Sequence, residues 1–191
     1  SSFSTASDAA TVSVTSVNDA PVLDDTHDPK LSPVAVNTGF SGSGGNTVAE
    51  IVGTAIGDVD PAAIEGIAVI GKTGSGSWWF RNNGSWAGGT TSLSSAWLLK
   101  STDKIQFTPN SGWTGTASIT FIAWDQTTGA TQSGRWANVS TAASVGGTTA
   151  YSNVSDIATV FVGNAGAAPT VVSVNRADTN PTQSSSVRFT G

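Results

Sequence analysis

The most constraining feature of this chain is an internal repeat. Residues 3–23 read FSTASDAATVSVTSVNDAPVL, and residues 151–171 read YSNVSDIATVFVGNAGAAPTV. Phe3 aligns with Tyr151, Asp8 with Asp156, Thr11-Val12 with Thr159-Val160 and Pro21 with Pro169, at a constant offset of 148 residues. Each copy passes from an aromatic residue through Ser-x-x-Ser-Asp into an alternating apolar strand, then into a linker that ends in proline. An element recurring at that distance predicts one complete domain between the copies, over about residues 22–168. Residues 1–21 are then expected to be the last strand and linker of a preceding domain. Residues 169–191 are expected to be the first strand or strands of a following one. The chain does not start with Met and is read as a mature or excised piece.

Within the complete domain the apolar pattern has the period of two that a half-buried strand requires. Strands are expected at 47–56, 66–71, 77–80, 96–99, 104–108, 116–124 and 156–162. Clusters of Gly, Asn and Ser at 41–46, 82–85, 88–91, 110–112 and 146–148 separate them as turns. No stretch sustains a 3.6-residue apolar period with caps, and 22 Gly and 7 Pro argue against long helices. Short strands at this spacing predict an all-β, Greek-key β-sandwich. Residues 126–149 read as a long polar loop.

Only 11% of residues are charged, and 13 acids against 8 bases give a net charge of −5. That balance disfavours nucleic acid and anionic membranes as partners. No apolar run reaches the ~18–20 residues of a membrane-spanning helix, so no membrane insertion by this segment is expected. Cysteine is absent, which excludes disulfides, zinc thiolates, iron–sulfur clusters and thiol catalysis. A chain rich in Ser and Thr, without disulfide staples, suits a secreted or cell-surface protein held together by metal. The single histidine, His27, lies in a polar loop, and no Gly-x-Ser-x-Gly elbow occurs. The glycine-rich residues 42–45 lack the Lys-Ser/Thr ending of a phosphate loop. The expectation is that the domain is not an enzyme.

Several segments resemble the tandem cadherin-like and Ig-like modules of large bacterial surface adhesins. Ser16-Val17-Asn18-Asp19-Ala20-Pro21 is similar to the linker between such modules. Gly57-Asp58-Val59-Asp60-Pro61 resembles their acidic Asp-x-Asp loop, and Ala123-Trp124-Asp125-Gln126-Thr127-Thr128-Gly129 their Ala-x-Asp-x-x-Gly turn. The run from Phe107 to Gly115 resembles the segment before a strand in giant adhesin repeats, and 174–182 the opening of a further Ig-like module. The resemblance implies a structural stalk or extender whose partners are neighbouring copies or domains of the same protein.

Calcium is the cofactor expected. It takes about 6–8 oxygen ligands, and an Asp-x-Asp spacing can aim two carboxylates at one ion. Asn18, Asp19, Asp58, Asp60 and Asp125 are the candidate ligands, and the resemblance places them together at the junction between modules. Glu50 joins them because the family often carries an acid on its first long strand. Asp24, Asp25 and Asp28 surround His27 and are expected to face solvent. The second linker has lost the acid matching Asp19, since Ala167 stands there.

Seven tryptophans call for a use. Trp78 and Trp79 are adjacent, so a strand sends them to opposite faces and one alone enters the core. Asn83-Gly84 marks a tight hairpin between Trp79 and Trp86. Trp97, Trp113 and Trp124 fit core or corner packing. Trp136 and Trp79 are the candidate contacts for a glycan, which would make the domain a glycan-binding module. A third reading is a fibre subunit, in which orphan strands such as 3–17 complete a neighbour's sheet.

Overall fold

Alternating strands build two sheets that close on one another. The computed structural model describes residues 3, 6–60, 63–82, 84–128, 134 and 136–164. In chain order these form β1 (Val22–Leu23), β2 (Val34–Ala35), β3 (Asn46–Thr47), α1 (Val48–Val52), β4 (Ile56–Gly57), β5 (Gly66–Lys72) and β6 (Gly76–Asn82). There follow β7 (Ser85–Ala87), β8 (Ala96–Lys100), β9 (Lys104–Pro109), β10 (Gly115–Trp124), β11 (Trp136–Ala137), a 3-10 turn (Ala142–Ser144) and β12 (Tyr151–Gly163). One sheet has the order β11-β8-β5-β10-β12-β2 and the other β3-β9-β6-β7, with β1-β4 as a small separate ladder. The expected β-sandwich is present.

Its core follows from the period of two. β10 and β12 send Ala117, Ile119, Phe121, Ala158, Val160 and Val162 inward, against Trp78, Phe80, Ile105 and Phe107 of the other sheet. The β10–β12 ladder runs antiparallel from Gly115↔Val162 to Trp124↔Tyr151. Trp78 is buried and Trp79 only half-buried, as adjacent strand residues must be. The β6–β7 hairpin turns between Asn82 and Ser85, with Gly84 in a left-handed conformation at φ 85°; Asn83 lies outside the described residues.

Two expectations are corrected. Residues 47–56 are not a strand. Thr47 caps α1, its hydroxyl accepting from the Glu50 N–H at 3.1 Å while the Glu50 carboxylate accepts from the Thr47 N–H at 2.9 Å. The Thr-x-x-Glu spacing of a capping box outweighed β propensity here. Val48, Ile51 and Val52 then fall on one buried face.

Nor is 126–149 simply a polar loop. Its described residues from Trp136 onward, with Ala150 after them, lie across the outer face of the six-stranded sheet, where Val139 and Ala150 bury Ala68, Leu98, Ile122 and Trp124 in a second core. Trp124 donates its indole N–H to the Thr128 carbonyl at 2.9 Å. Gly66 permits this closeness: a Cβ there would lie 2.9 Å from the Trp124 ring and 2.8 Å from the Leu99 carbonyl oxygen.

Residues 6–17 form no strand and are exposed. Val12 and Val14 are 86% and 87% exposed, whereas their repeat equivalents Val160 and Val162 are 1% and 0% exposed. The second linker from Ala165 onward, and 169–191, lie outside the described residues. Truncating one buried Val methyl pair costs about 2 kcal/mol. Val160→Ala is therefore expected to lower stability in urea by about that amount, and Val12→Ala to leave the midpoint unchanged. Equal losses would mean that 6–17 packs on this sandwich.

Candidate functional site

Residues 18–21, the segment expected to be a linker, are fastened to one end of the sandwich by short polar contacts. Asn18 donates its amide N–H groups to Asp125 Oδ2 at 2.9 Å, Thr149 O at 3.1 Å and Asp19 O at 3.1 Å. The Asp19 N–H donates to Asp60 Oδ2 at 2.8 Å, and the Asp60 N–H to Asp58 Oδ1 at 2.9 Å. One residue further on, Ala20 N–H meets Gly147 O at 2.8 Å. Pro21 and Leu23 are buried, and β1 pairs with β4 immediately before Asp58.

Local turn chemistry sets each acid. Asp125 follows the last residue of β10 and accepts from the Thr127 N–H and hydroxyl, both at 2.7 Å. This side-chain turn leaves its other oxygen for Asn18. Gln126 adopts a left-handed φ of 67°, held by its amide donating to the Ile64 and Glu65 carbonyls. Gly146 and Gly147, at φ 69° and 61°, make the tight turn that presents the Gly147 and Thr149 carbonyls to the linker. Asp125 is 4% exposed, and Asp58 and Asp60 are half-buried. Burial, and then the Asp125 charge, push the Tyr151 hydroxyl above its ordinary pKa.

The structure thus brings Asn18, Asp19, Asp58, Asp60 and Asp125 into one hydrogen-bonded chain. Glu50 stands apart, committed to capping α1, and the Thr47 N–H holds its carboxyl below the usual range. Sequence reasoning missed the carbonyls of Gly147 and Thr149; the Gly146-Gly147 pair was their one trace. Clefts of roughly 420 Å³ and 620 Å³ flank the linker, the first lined by Asn18, Asp60, Asp125 and Thr127, the second by Asp19, Asp58 and Gly147.

The donor chemistry fits a hard cation: carboxylates, carbonyls and an amide, with Asp58 Oδ2 buried and lacking any partner. Among the described residues none of these four carboxylates has an ion pair, since the two pairs present join Asp24 to His27 and Asp28 to Lys30. As they stand, N–H groups separate the carboxylates, and among the described residues no three acidic or imidazole side chains are gathered closely enough to hold a metal.

The remaining acids behave differently. Asp24, His27 and Asp28 are exposed, as expected. Asp156, on β12, is 9% exposed, with one oxygen accepting from the Ile157 N–H at 2.6 Å and the other buried without a partner. No helix among the described residues is long and apolar enough to cross a membrane. No protein-family model, curated protein or solved structure matches the chain.

Burial raises the Asp156 pKa, against the Ile157 hydrogen bond that lowers it, with Asp25 and Asp28 adding to the rise and His27 opposing it. The folded state therefore holds this proton more tightly than the unfolded state does. Stability falls as pH rises from the ordinary carboxylate value through the raised one. Asp156→Asn is expected to raise the melting midpoint at neutral pH relative to wild type, with the gap closing below about pH 3. A midpoint lowered at neutral pH would show that the charged form is held by a partner.

Proposed function

We propose that this chain is a stalk or extender module of a secreted or cell-surface repetitive protein, related in design to cadherin-like adhesin repeats. The observation that carries the reading is where the chain enters and leaves. The linker is clamped at the Trp124–Tyr151 end of the β10–β12 ladder, and β12 finishes at the Gly115–Val162 end. The ten residues of β10 set these points about 30 Å apart. A domain that receives the chain at one end and releases it at the other can be strung head to tail, each touching mainly its neighbours. Its role is to hold a distal region at a fixed distance and angle, without chemistry.

Calcium at the joint would be held by Asp58, Asp60 and Asp125, with Asn18, Asp19 and linker carbonyls completing an oxygen set. It would neutralise carboxylates that have no basic partner among the described residues, and so stiffen the angle between modules. The decisive measurement is a thermal melt with millimolar calcium or with chelator. An ion that binds only the folded state, at about 100 times its Kd, stabilises it by about 2.7 kcal/mol. The midpoint is expected to rise with calcium, and the rise to vanish in Asp58→Asn/Asp125→Asn. An unchanged midpoint would leave the joint closed by N–H donors alone.

The exposure of Val12 and Val14 supports a second sandwich as the home of residues 3–17. In tandem that sandwich precedes this one in the same polypeptide; in a fibre it belongs to another chain. Sedimentation at high concentration separates the two. Monomers favour the tandem reading, and filaments that disappear on deleting residues 1–17 favour strand exchange.

A further inference from the structure

The outer face of the four-stranded sheet carries aromatic surface that the core does not use. Trp79 on β6 and Trp86 on β7 both project from it, Trp86 lying opposite Arg81 and so diagonal to Trp79. Residues 38–45, rich in Gly and Ser, fold across them. Phe40 rests with its ring centroid 4.8 Å from that of Trp79 and 5.6 Å, edge-on, from that of Trp86. Phe40 nevertheless remains 44% exposed. Few bonds hold this cover: the Trp86 indole N–H donates to Gly42 O at 3.0 Å, and the Gln106 amide, in its satisfied orientation, meets Ser41 N and O. Nothing lies within 4 Å of a Cβ placed on Gly39 or Gly42.

Two further features of this face work against folding stability. The Trp79 indole N–H and the Thr108 hydroxyl are buried without hydrogen-bond partners. Both sit on the same face, since Trp79 pairs with Gln106 and Thr108 lies two residues along β9. Arg81 and Lys104 are directly opposite one another, an arrangement that costs stability in a sheet. Among the described residues neither has an ion pair. Glu50, whose charge Lys104 feels, is already engaged by Thr47.

One ligand chemistry answers all of these. A pyranose ring offers an apolar C–H face to stack on tryptophan. Its hydroxyl oxygens accept from an indole N–H and a threonine hydroxyl. An acid group on the ring would meet two cations, one a guanidinium suited to bidentate carboxylate binding. We propose that this face binds an acidic polysaccharide of the uronic-acid type, with the sugar ring taking the place of Phe40 over Trp79 and Trp86. The net charge of −5 makes unselective adsorption of a polyanion unfavourable, so binding would report the local pair. The inference goes beyond the stalk reading and does not depend on calcium.

The test is titration of the full chain with trigalacturonate and with maltotriose, followed by tryptophan emission and calorimetry. Trigalacturonate is expected to bind and the neutral trimer not. Phe40→Gly is expected to bind several-fold tighter, because the competing cover is gone. Arg81→Gln/Lys104→Gln should weaken binding by about ten-fold or more, the loss of one or more charge-assisted bonds. Trp86→Ala should weaken binding by removing one of the two stacking rings; because Trp86 lies outside the core, its unchanged melting midpoint would show that the fold survives. Failure of Phe40→Gly to bind trigalacturonate would overturn the proposal. So would equal binding of the neutral trimer, or binding undiminished in Trp86→Ala.

Discussion

The second half of strand β10, residues 121–124, is buried on both faces, and the rest of the domain is arranged around that constraint. Ala117, Ile119, Phe121 and Ala123 fill the space between the sheets, while Ile122 and Trp124 lie under the segment that follows. A strand in that position must pair on both edges, because an unpaired buried amide is costly. β12 and β5 supply those pairs. The end of β10 is consequently one of the best-fixed points in the fold, and Asp125 leaves from it. The linker's amide contact at Asp125 is anchored there, and its other contacts fall in the loops around that end of the sandwich.

The same arrangement shapes the sheet margins. The outermost strands β2, β3, β7 and β11 are two or three residues long. Along β12 the chain between Pro29 and Leu31 occupies the Thr159 backbone groups. Short or covered edges discourage casual strand addition. Pairing of residues 3–17 with another sandwich would therefore require a vacant strand position there, not merely an exposed margin.

Much of this was legible from residue order. Alternation located β5, β6, β8, β9, β10 and β12, and the chemistry of Asp-x-Asp, Asn-Asp and the acid after Trp124 indicated residues that the fold does bring to one end. What escaped had a common cause, in that the deciding information was local geometry or distant packing. Thr47 and Glu50 capped a helix too short to show a period. Trp124 is apolar on the outward face of its strand, a sign that something covers it, but only the fold shows that the segment after Asp125 does so. The carbonyls of Gly147 and Thr149 carry no signature of their own, since every residue has one, and the Gly146-Gly147 pair marks only the turn that presents them.

The Asn18 amide also decides where tension would travel. Without it, a pull on the linker would meet only the single bonds from Asp19 to Asp60 and from Ala20 to Gly147 before reaching β1–β4, a ladder of two residue pairs that could peel open one rung at a time. The bond from Asn18 to Asp125 passes the load instead to the head of β10, while β12 carries it away at the far end. Force then runs along the strands and across the rungs between them, so the whole β10–β12 ladder shares it at once. Resistance to such loading is a matter of unfolding rate, not of equilibrium stability. A single side-chain amide would thus help set how long the domain lasts under strain, alongside the bonds that Asp19 and Ala20 make at the same end.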